Sequence, residues 1–132
     1  MIELNHKKLN VFQKSIELVS EVYRLTEAFP ISENFGLISQ LRRAAVSIPS
    51  NIAEGASRKS ENDRKRFYQI ARSSLVEIDT QIEISKKIGY LKESDIEALT
   101  LLSNHVFAML RPASSLVSSR RSAIMTKSPA VP

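Results

Sequence analysis

Apolar residues recur at three- and four-residue steps through four segments of the chain, with polar residues on the opposite sides. This spacing is typical of amphipathic helices. The pattern predicts helices from about Leu9 to Ala28, from Ser32 or Glu33 to Gly55, from Glu61 to Ile88, and from Ser94 onward. Short connections make consecutive helices antiparallel, so the sequence predicts an all-α, up-down-up-down four-helix bundle.

Each predicted helix carries a stripe of apolar or small residues that can form the core. The stripe of the first helix comprises Val11, Phe12, Ile16, Leu18, Val19, Val22, Tyr23 and Leu25. That of the second comprises Leu37, Ile38, Leu41, Ala44, Ala45, Ile48 and Ile52. That of the third comprises Phe67, Ile70, Ala71, Ser74, Leu75, Ile78, Ile82 and Ile88. That of the fourth comprises Leu99, Leu102, Val106, Met109, Leu110, Ala113 and Leu116.

Capping residues mark several of the predicted helix ends. Ser60 with Asp63 resembles a capping box, and Ser94 with Glu97 has the full capping-box sequence. Gly89 stands where a left-handed residue commonly ends a helix.

Two prolines interrupt the helical pattern. Pro49 removes a backbone donor inside the second helix, at a cost of about 3 kcal/mol, and predicts a kink there. Ser47, Ser50 and Asn51 are candidate donors to the carbonyl that Pro49 leaves free. Pro112 predicts that the fourth helix bends or ends near it.

The length of 132 residues predicts one domain, with residues 1–117 as the bundle and residues 118–132 as a disordered basic tail. The chain has no cysteine, which excludes disulfides and thiolate metal sites. No apolar run approaches the roughly 18 residues that a membrane span needs, and the N-terminus lacks a signal pattern. We therefore expect a cytoplasmic protein with no membrane partner.

The net charge of +5 is concentrated in one part of the chain. Residues 42–72 hold eight basic and three acidic side chains, so this segment carries the whole net charge. A concentrated positive region attracts polyanions. A solvated helix face is the alternative interpretation of such a charge run.

The sequence offers little for catalysis. His6 and His105 have no neighbours that make a triad or a metal pair, and no phosphate-binding glycine loop or HExxH motif is present. We therefore expect neither an enzyme, nor a metal site, nor a cofactor.

Lys65, Tyr68, Gln69 and Arg72 share one face of the third helix, at a predicted angle of roughly 140° from its core stripe. An aromatic ring between two cations suits phosphate contact with base stacking. Alternatively, Tyr68 packs against a neighbouring helix with its hydroxyl in water.

Arg42 and Arg43 lie on the flank and outer face of the second helix. Arginine binds phosphates or carboxylates bidentately. An ion pair between helices or subunits, for instance between Arg43 and Glu54, is the alternative.

Seven apolar residues lie off the core stripes, and an isolated bundle would expose them: Phe35, Val46, Ala53, Val76, Ile84, Leu101 and Phe107. Contiguous exposed apolar area usually marks a partner surface. A homo-oligomer with closed symmetry is the simplest explanation. Coverage by loops and by the N-terminal arm, with Ile2 and Leu4, is the alternative.

The sequence resembles the bacterial four-helix-bundle proteins encoded within intervening sequences of large-subunit ribosomal RNA genes. The resemblance covers about residues 9–110 and weakens along the fourth helix. It rests above all on the run QLRRAAVSIPSNIAEG at residues 40–55. Further matching pieces are Tyr23, Thr26, Phe29-Pro30, Glu33, Phe35-Gly36-Leu37, Arg58, Ser60, Phe67, Ile70-Ala71, Ser74-Leu75-Val76-Glu77, Thr80-Gln81, Ile84 and Gly89-Tyr90-Leu91.

The resemblance implies a bundle that assembles as a closed ring or barrel of five subunits. Related proteins include the accessory subunit of diversity-generating retroelements, a basic pentamer that binds nucleic acid and a reverse transcriptase. The resemblance implies neither an enzymatic activity nor a constitutive ribosomal role.

Charge, apolar surface and resemblance together predict a non-catalytic, homo-oligomeric scaffold that binds RNA or DNA, with a reverse transcriptase as partner if the chain is a retroelement accessory protein. The alternative is an adaptor in which Arg42, Arg43 and the segment around Pro49 dock an acidic protein. The candidate nucleic-acid-binding residues are Arg42, Arg43, Arg58, Lys59, Arg64, Lys65, Tyr68 and Arg72.

Overall fold

A computed structural model of the chain describes residues 1–111, apart from the side chain of Lys8. Within that range the chain is all-helical, which confirms the predicted fold class. The helices are α1 (Asn10–Thr26), α2 (Leu37–Ala56), α3 (Glu61–Ile88) and α4 (Glu97–Met109). Short 3-10 turns at Asn5–Lys8, Ile31–Glu33 and Glu93–Ile96 precede α1, α2 and α4. The predicted basic tail and two predicted stripe residues, Ala113 and Leu116, lie outside the described residues.

The four helices form a bundle in which α2 packs along both α1 and α3. α4 packs mainly along α1 and only slightly along α3, so α3 and α4 leave a groove between them. The largest fully buried apolar side chains come from all four helices: Leu18, Val22, Leu41, Ile48, Ile52, Ile78 and Val106.

The predicted ends of α3 are confirmed. The hydroxyl of Ser60 accepts a hydrogen bond from the backbone N–H of Asp63 at 3.4 Å. Gly89 follows the helix with φ of 100°, a left-handed conformation that costs a glycine little. α3 therefore runs over the full predicted span.

The starts of α2 and α4 differ from the prediction. The carboxylate of Glu33 accepts the backbone N–H of Leu37 at 2.9 Å, so this acidic residue caps α2 from four positions upstream. The predicted capping box at Ser94 is not formed, because Asp95 instead accepts the backbone N–H of Lys92 at 2.8 Å. This bond closes a 3-10 turn and delays the start of α4.

α2 runs through Pro49 as one continuous helix. Ser50 and Asn51 donate to the backbone carbonyls four residues before them, at 2.9 and 2.7 Å. The carbonyl that a proline at position 49 leaves free belongs to Ala45. The predicted donors therefore satisfy neighbouring carbonyls, and that part of the prediction is wrong.

The predicted core stripes are too wide. Five of their members have exposed fractions of 39–54%: Ile16, Tyr23, Ile70, Ile88 and Met109. Each helix is covered only on the side that faces its neighbours, and these residues lie at the margins of that contact. The bundle therefore exposes more apolar surface than the sequence pattern predicts.

No helix within residues 1–111 is both long enough and apolar enough to cross a membrane.

Candidate nucleic-acid interface

Most of the candidate binding residues fall into two groups along the bundle, one around the turn between α2 and α3 and the other at Arg42 and Arg43. Gln40 of α2 is paired with Gln81 of α3, and Ser47 with Ser74, which fixes the level at which each residue lies. By this register the turn between α2 and α3 lies about 22 Å from Arg42 and Arg43 along the helix axis, at ~1.5 Å per residue. The structure therefore does not bring all eight candidates into one site.

The first group surrounds the α2–α3 turn. We call this group the basic end and define it as Arg58, Lys59, Arg64, Lys65 and Arg111. Arg111 joins the group because α4 runs antiparallel to α3, which places its C-terminal end beside Lys65. The sequence pattern did not single out Arg111, which has no basic neighbour in sequence.

Two cations of the basic end form exposed ion pairs with acidic residues four positions before them in the sequence. Arg58 lies 3.2 Å from the carboxylate of Glu54, and Lys65 lies 3.7 Å from Glu61. Exposed pairs of this kind contribute roughly 0–1 kcal/mol. Both cations can therefore exchange their partner for a phosphate at little cost.

A hollow of about 290 Å³ opens at the basic end, between the first turns of α3 and the last turn of α4. Its wall is lined by Glu61, Arg64, Lys65, Tyr68, Gln69, Met109, Leu110 and Arg111. It thus combines three cations with an aromatic ring and an amide.

Tyr68 lies in the wall of this hollow and also packs against α2. A β-carbon added to Gly55 would lie 2.8 Å from Cε1 of the Tyr68 ring, so glycine lets the ring approach the α2 backbone. The residue is half-buried and joins the margin of the core. This contact supports the alternative interpretation, in which Tyr68 packs against a neighbouring helix.

Arg72 lies in the groove between α3 and α4 rather than on a free face. Its guanidinium carbon is 3.9 Å from the centroid of the Phe107 ring, a cation–π contact. Its Nε–H is buried and has no acceptor among the described residues. Arg72 and Phe107 therefore cover each other, which also corrects the expectation that the bundle exposes Phe107.

Arg42 is held in the seam between α1 and α2. Its Nε donates to the hydroxyl of Thr26 at 2.9 Å, and its guanidinium lies over the Tyr23 ring at 4.4 Å. These contacts support the alternative in which this arginine joins two helices. They leave it poorly placed to bind a phosphate.

Arg43 is exposed and forms no ion pair within residues 1–111. The suggested partner, Glu54, pairs with Arg58 instead. Arg43 therefore stays available to a ligand, but at a distance from the basic end.

Most of the predicted off-stripe apolar residues are exposed, with fractions of 42–99%: Phe35, Val46, Val76, Ile84 and Leu101. Ala53, like Phe107, is half-buried. The N-terminal arm leaves much of its own apolar surface uncovered, since Ile2 is 66% and Leu4 47% exposed. The exposed apolar surface thus persists in the single chain.

A second hollow, of about 380 Å³, lies between α1 and α2 and is mostly apolar. It is lined by His6, Phe12, Ile16, Val19, Val46, Pro49, Ser50 and Ala53. Two predicted interface residues, Val46 and Ala53, thus lie together with Ile16, which the sequence pattern placed in the core. The described residues contain no cluster of three or more groups able to hold a metal ion.

Comparison with known proteins adds a family and a structural relative. A crystal structure of a protein of unknown function from the S23 ribosomal protein family of Bacteroides thetaiotaomicron is similar, with a TM-score of 0.67 and 22% identity over 76% of this chain and 94% of that one. At this identity the likeness establishes the shared fold. No curated protein matches the chain. The sequence profile of the 23S rRNA-intervening sequence proteins matches residues 7–112, and the chain therefore belongs to that family.

Proposed function

We propose that the chain is a non-catalytic, homo-oligomeric scaffold that binds RNA or DNA through the basic end of the bundle. The observation that carries the proposal is the gathering of five cations around the α2–α3 turn, where Lys59, Arg64 and Arg111 have no ion pair among the described residues. Such a field attracts a phosphate backbone without regard to its sequence.

The hollow at the basic end favours a single strand. Its cations can contact phosphates, while the exposed part of the Tyr68 ring and the amide of Gln69 offer contacts to an unstacked base. Stacking on an aromatic ring contributes about 1–3 kcal/mol per base. A duplex has its bases stacked internally and would use only the cations.

Two apolar surfaces support the homo-oligomer. One is the hollow between α1 and α2, with Ile16 and Val46 exposed by 47% and 42%. The other is the C-terminal part of α3, where Ile84 and Ile88 are exposed by 44% and 54%. The surfaces differ and lie on different helices, so a contact between them would be heterologous, and heterologous contacts form a closed ring when the rotation between neighbouring subunits allows closure.

A ring strengthens the proposed nucleic-acid binding. Five copies would gather a charge of about +25 from residues 42–72 alone, and fields of this strength steer polyanions at a distance. Both the closed ring and the five-fold number follow from the family resemblance, and the two unlike surfaces are compatible with a ring of any size.

The salt dependence of single-strand binding tests the role of the basic end. In a variant with Lys59→Gln, Arg64→Gln and Lys65→Gln, the plot of log affinity against log salt should become shallower by about 2, since each lost phosphate contact on a single strand removes ~0.7.

The matched control removes the same charge elsewhere, with Lys14→Gln, Lys87→Gln and Lys92→Gln, and should keep most of the original slope. Equal slopes for the two triple variants would refute the basic end as the binding surface. A single stoichiometric protein partner that survives nuclease treatment would favour the adaptor instead.

Light scattering coupled to size exclusion tests the assembly. Val46→Glu and Ile84→Glu each place a charge in one of the two apolar surfaces and should lower the particle mass. Ser39→Glu, on an exposed polar position of α2, is the control and should leave the mass unchanged. A wild-type particle of 14.8 kDa at high concentration would overturn the homo-oligomer.

A further inference from the structure

Phe35 is the most exposed aromatic side chain in the described part of the chain, with an exposed fraction of 99%. It lies in the connection between α1 and α2, residues 27–36, where Ile31 is also 83% exposed. Exposed apolar groups that project together commonly mark a partner surface. We propose that Phe35 inserts into the hollow between α1 and α2 of a second copy of the chain, an inference that rests on the proposed homo-oligomer and names its contact.

The connection that carries Phe35 is tied to the bundle on both sides. The carboxylate of Glu33 accepts the backbone N–H of Leu37 at 2.9 Å and the hydroxyl of Tyr90 at 3.4 Å. Phe29 is buried, and its ring centroid lies 5.2 Å from that of Tyr90. Phe35 is thus held outward by a fixed backbone, so little conformational freedom of the chain is lost when a partner covers its ring.

The hollow between α1 and α2 has the chemistry to receive an aromatic ring. Most of its wall is apolar and comes from Phe12, Ile16, Val19, Val46, Pro49 and Ala53. The ring of Phe12 is already in edge-to-face contact with that of His6, with 4.9 Å between the centroids. A further ring can join such a pair, because aromatic rings prefer edge-to-face or offset packing. The volume of about 380 Å³ leaves room for the side chain of Phe35.

The chain does not reach this hollow with its own Phe35. Pro49, in the wall of the hollow, lies twelve residues beyond Leu37 along α2, a distance of about 18 Å. Phe35 comes before Leu37, so it lies farther away still. The hollow that receives Phe35 therefore belongs to another copy, and the contact joins two unlike surfaces.

Phe35 lies at the same end of the bundle as the apolar part of α3. The pairing of Gln40 with Gln81 fixes the antiparallel register of α2 and α3. Five residues back from Gln40 therefore correspond to five residues forward from Gln81, which places Phe35 near the level of Ile84 and Ile88. The proposed contact thus continues the second of the two apolar surfaces that support the homo-oligomer.

The charges beside the two surfaces are opposite. The connection contains Glu27 and Glu33 and no cation. Beside the hollow lie Lys7, which follows a wall residue in sequence, and Arg42, one helical turn before another wall residue. Opposite charges favour this pairing of surfaces over a contact between two copies of the same surface.

The concentration at which the chain is half assembled tests the role of Phe35, and analytical ultracentrifugation measures it. Phe35→Ala should raise this concentration about ten- to hundredfold, the loss expected from one buried phenylalanine side chain. Because the side chain is 99% exposed in the single chain, the substitution should leave the circular dichroism spectrum unchanged. Leu101→Ala is the matched control: it removes a side chain that is 74% exposed, but from α4, which contributes to neither surface. It should leave the concentration at half assembly unchanged.

Disulfide crosslinking tests the receiving hollow, since the chain has no natural cysteine. Chains with Asn34→Cys, next to Phe35, are mixed with tagged chains that carry Ser50→Cys in the wall of the hollow. In the matched control the tagged chains carry Ser73→Cys, an exposed position on α3. We expect the hollow pair to form mixed disulfides about tenfold faster than the control pair, because assembly raises the local concentration. Phe35→Ala in the first chain should remove that difference.

Failure of the contact and failure of the homo-oligomer give different results. A wild-type particle that stays at 14.8 kDa overturns both. An assembled wild type whose Phe35→Ala variant assembles at the same concentration overturns the contact alone, and so do equal crosslinking rates for the hollow and control pairs. If Asn34→Cys chains crosslink fastest to one another, the contact is symmetric and the proposed insertion is wrong.

Discussion

The contact between Gly55 and Tyr68 gives a prediction whose sign opposes simple helix propensity. Gly55 lies inside the last turn of α2, where alanine normally stabilises a helix by about 0.8–1.0 kcal/mol relative to glycine. An added β-carbon at this position would lie 2.8 Å from Cε1 and 3.0 Å from Cδ1 of Tyr68, and 3.1 Å from Cβ of Phe67. The Tyr68 ring must shift, because contacts below 3.0 Å are not tolerated.

The magnitude follows from the two opposing effects. Overpacking of this kind costs typically 1–3 kcal/mol, which exceeds the gain in propensity. We therefore expect Gly55→Ala to lower the free energy of unfolding by about 1 kcal/mol. The neighbouring Phe67 contact involves a β-carbon fixed to the α3 backbone, so movement of the Tyr68 ring alone does not relieve the strain.

Urea unfolding followed by circular dichroism measures the effect, at fixed protein concentration because assembly shifts apparent stability. The same substitution in a Tyr68→Leu background is the control. Without the ring, alanine at position 55 should cost less than in the wild type, and the difference is the coupling energy between the two sites. A Gly55→Ala protein more stable than the wild type would refute the reasoning.

Three further predictions concern single side chains. Burial and the nearby carboxylate of Glu33 raise the pKa of the Tyr90 hydroxyl above its usual value of 10.0. The stability that the protonated hydroxyl contributes is therefore present below pH 10.0 and is lost as the pH rises through the pKa of the folded state. In Tyr90→Phe, the urea midpoint should fall less between neutral and alkaline pH than it does in the wild type. Gly89→Ala should cost about 1 kcal/mol in the same assay, because φ is 100° there; an unchanged midpoint would count against the left-handed cap. Arg42→Leu removes the bond to Thr26 and should lower stability by about 1–2 kcal/mol, while single-strand affinity should change little; a large loss of affinity in a stably folded variant would contradict the structural role.

The sequence predicts the bundle well because helix periodicity and end signals are local. Ser60, Asp63 and Gly89 set the ends of α3 through contacts within a few residues, so their sequence positions suffice. The predicted start of α4 was wrong because two overlapping capping signals compete there, one from Lys92 to Asp95 and the other from Ser94 to Glu97. The carboxylate of Asp95 accepts the backbone N–H of Lys92, and the capping box that begins at Ser94 is not formed.

The binding surface was only partly predictable. Helical spacing correctly groups Lys65 with Tyr68, but it does not show that α4 brings Arg111 beside them or that Phe107 covers Arg72. The contact of Arg42 with Thr26 joins residues 16 positions apart in the sequence. Such contacts depend on which helices lie next to each other in space. The spacing of apolar residues in a single sequence does not show which helices are neighbours.

The central claim is that several copies of the chain act together on a nucleic acid. Sedimentation of a labelled single-stranded RNA with the full chain at low salt tests both halves of that claim in one experiment. We predict a complex whose mass contains several protomers of 14.8 kDa and which dissociates as salt is raised. A protein that sediments at 14.8 kDa while the RNA keeps its own position would contradict the account.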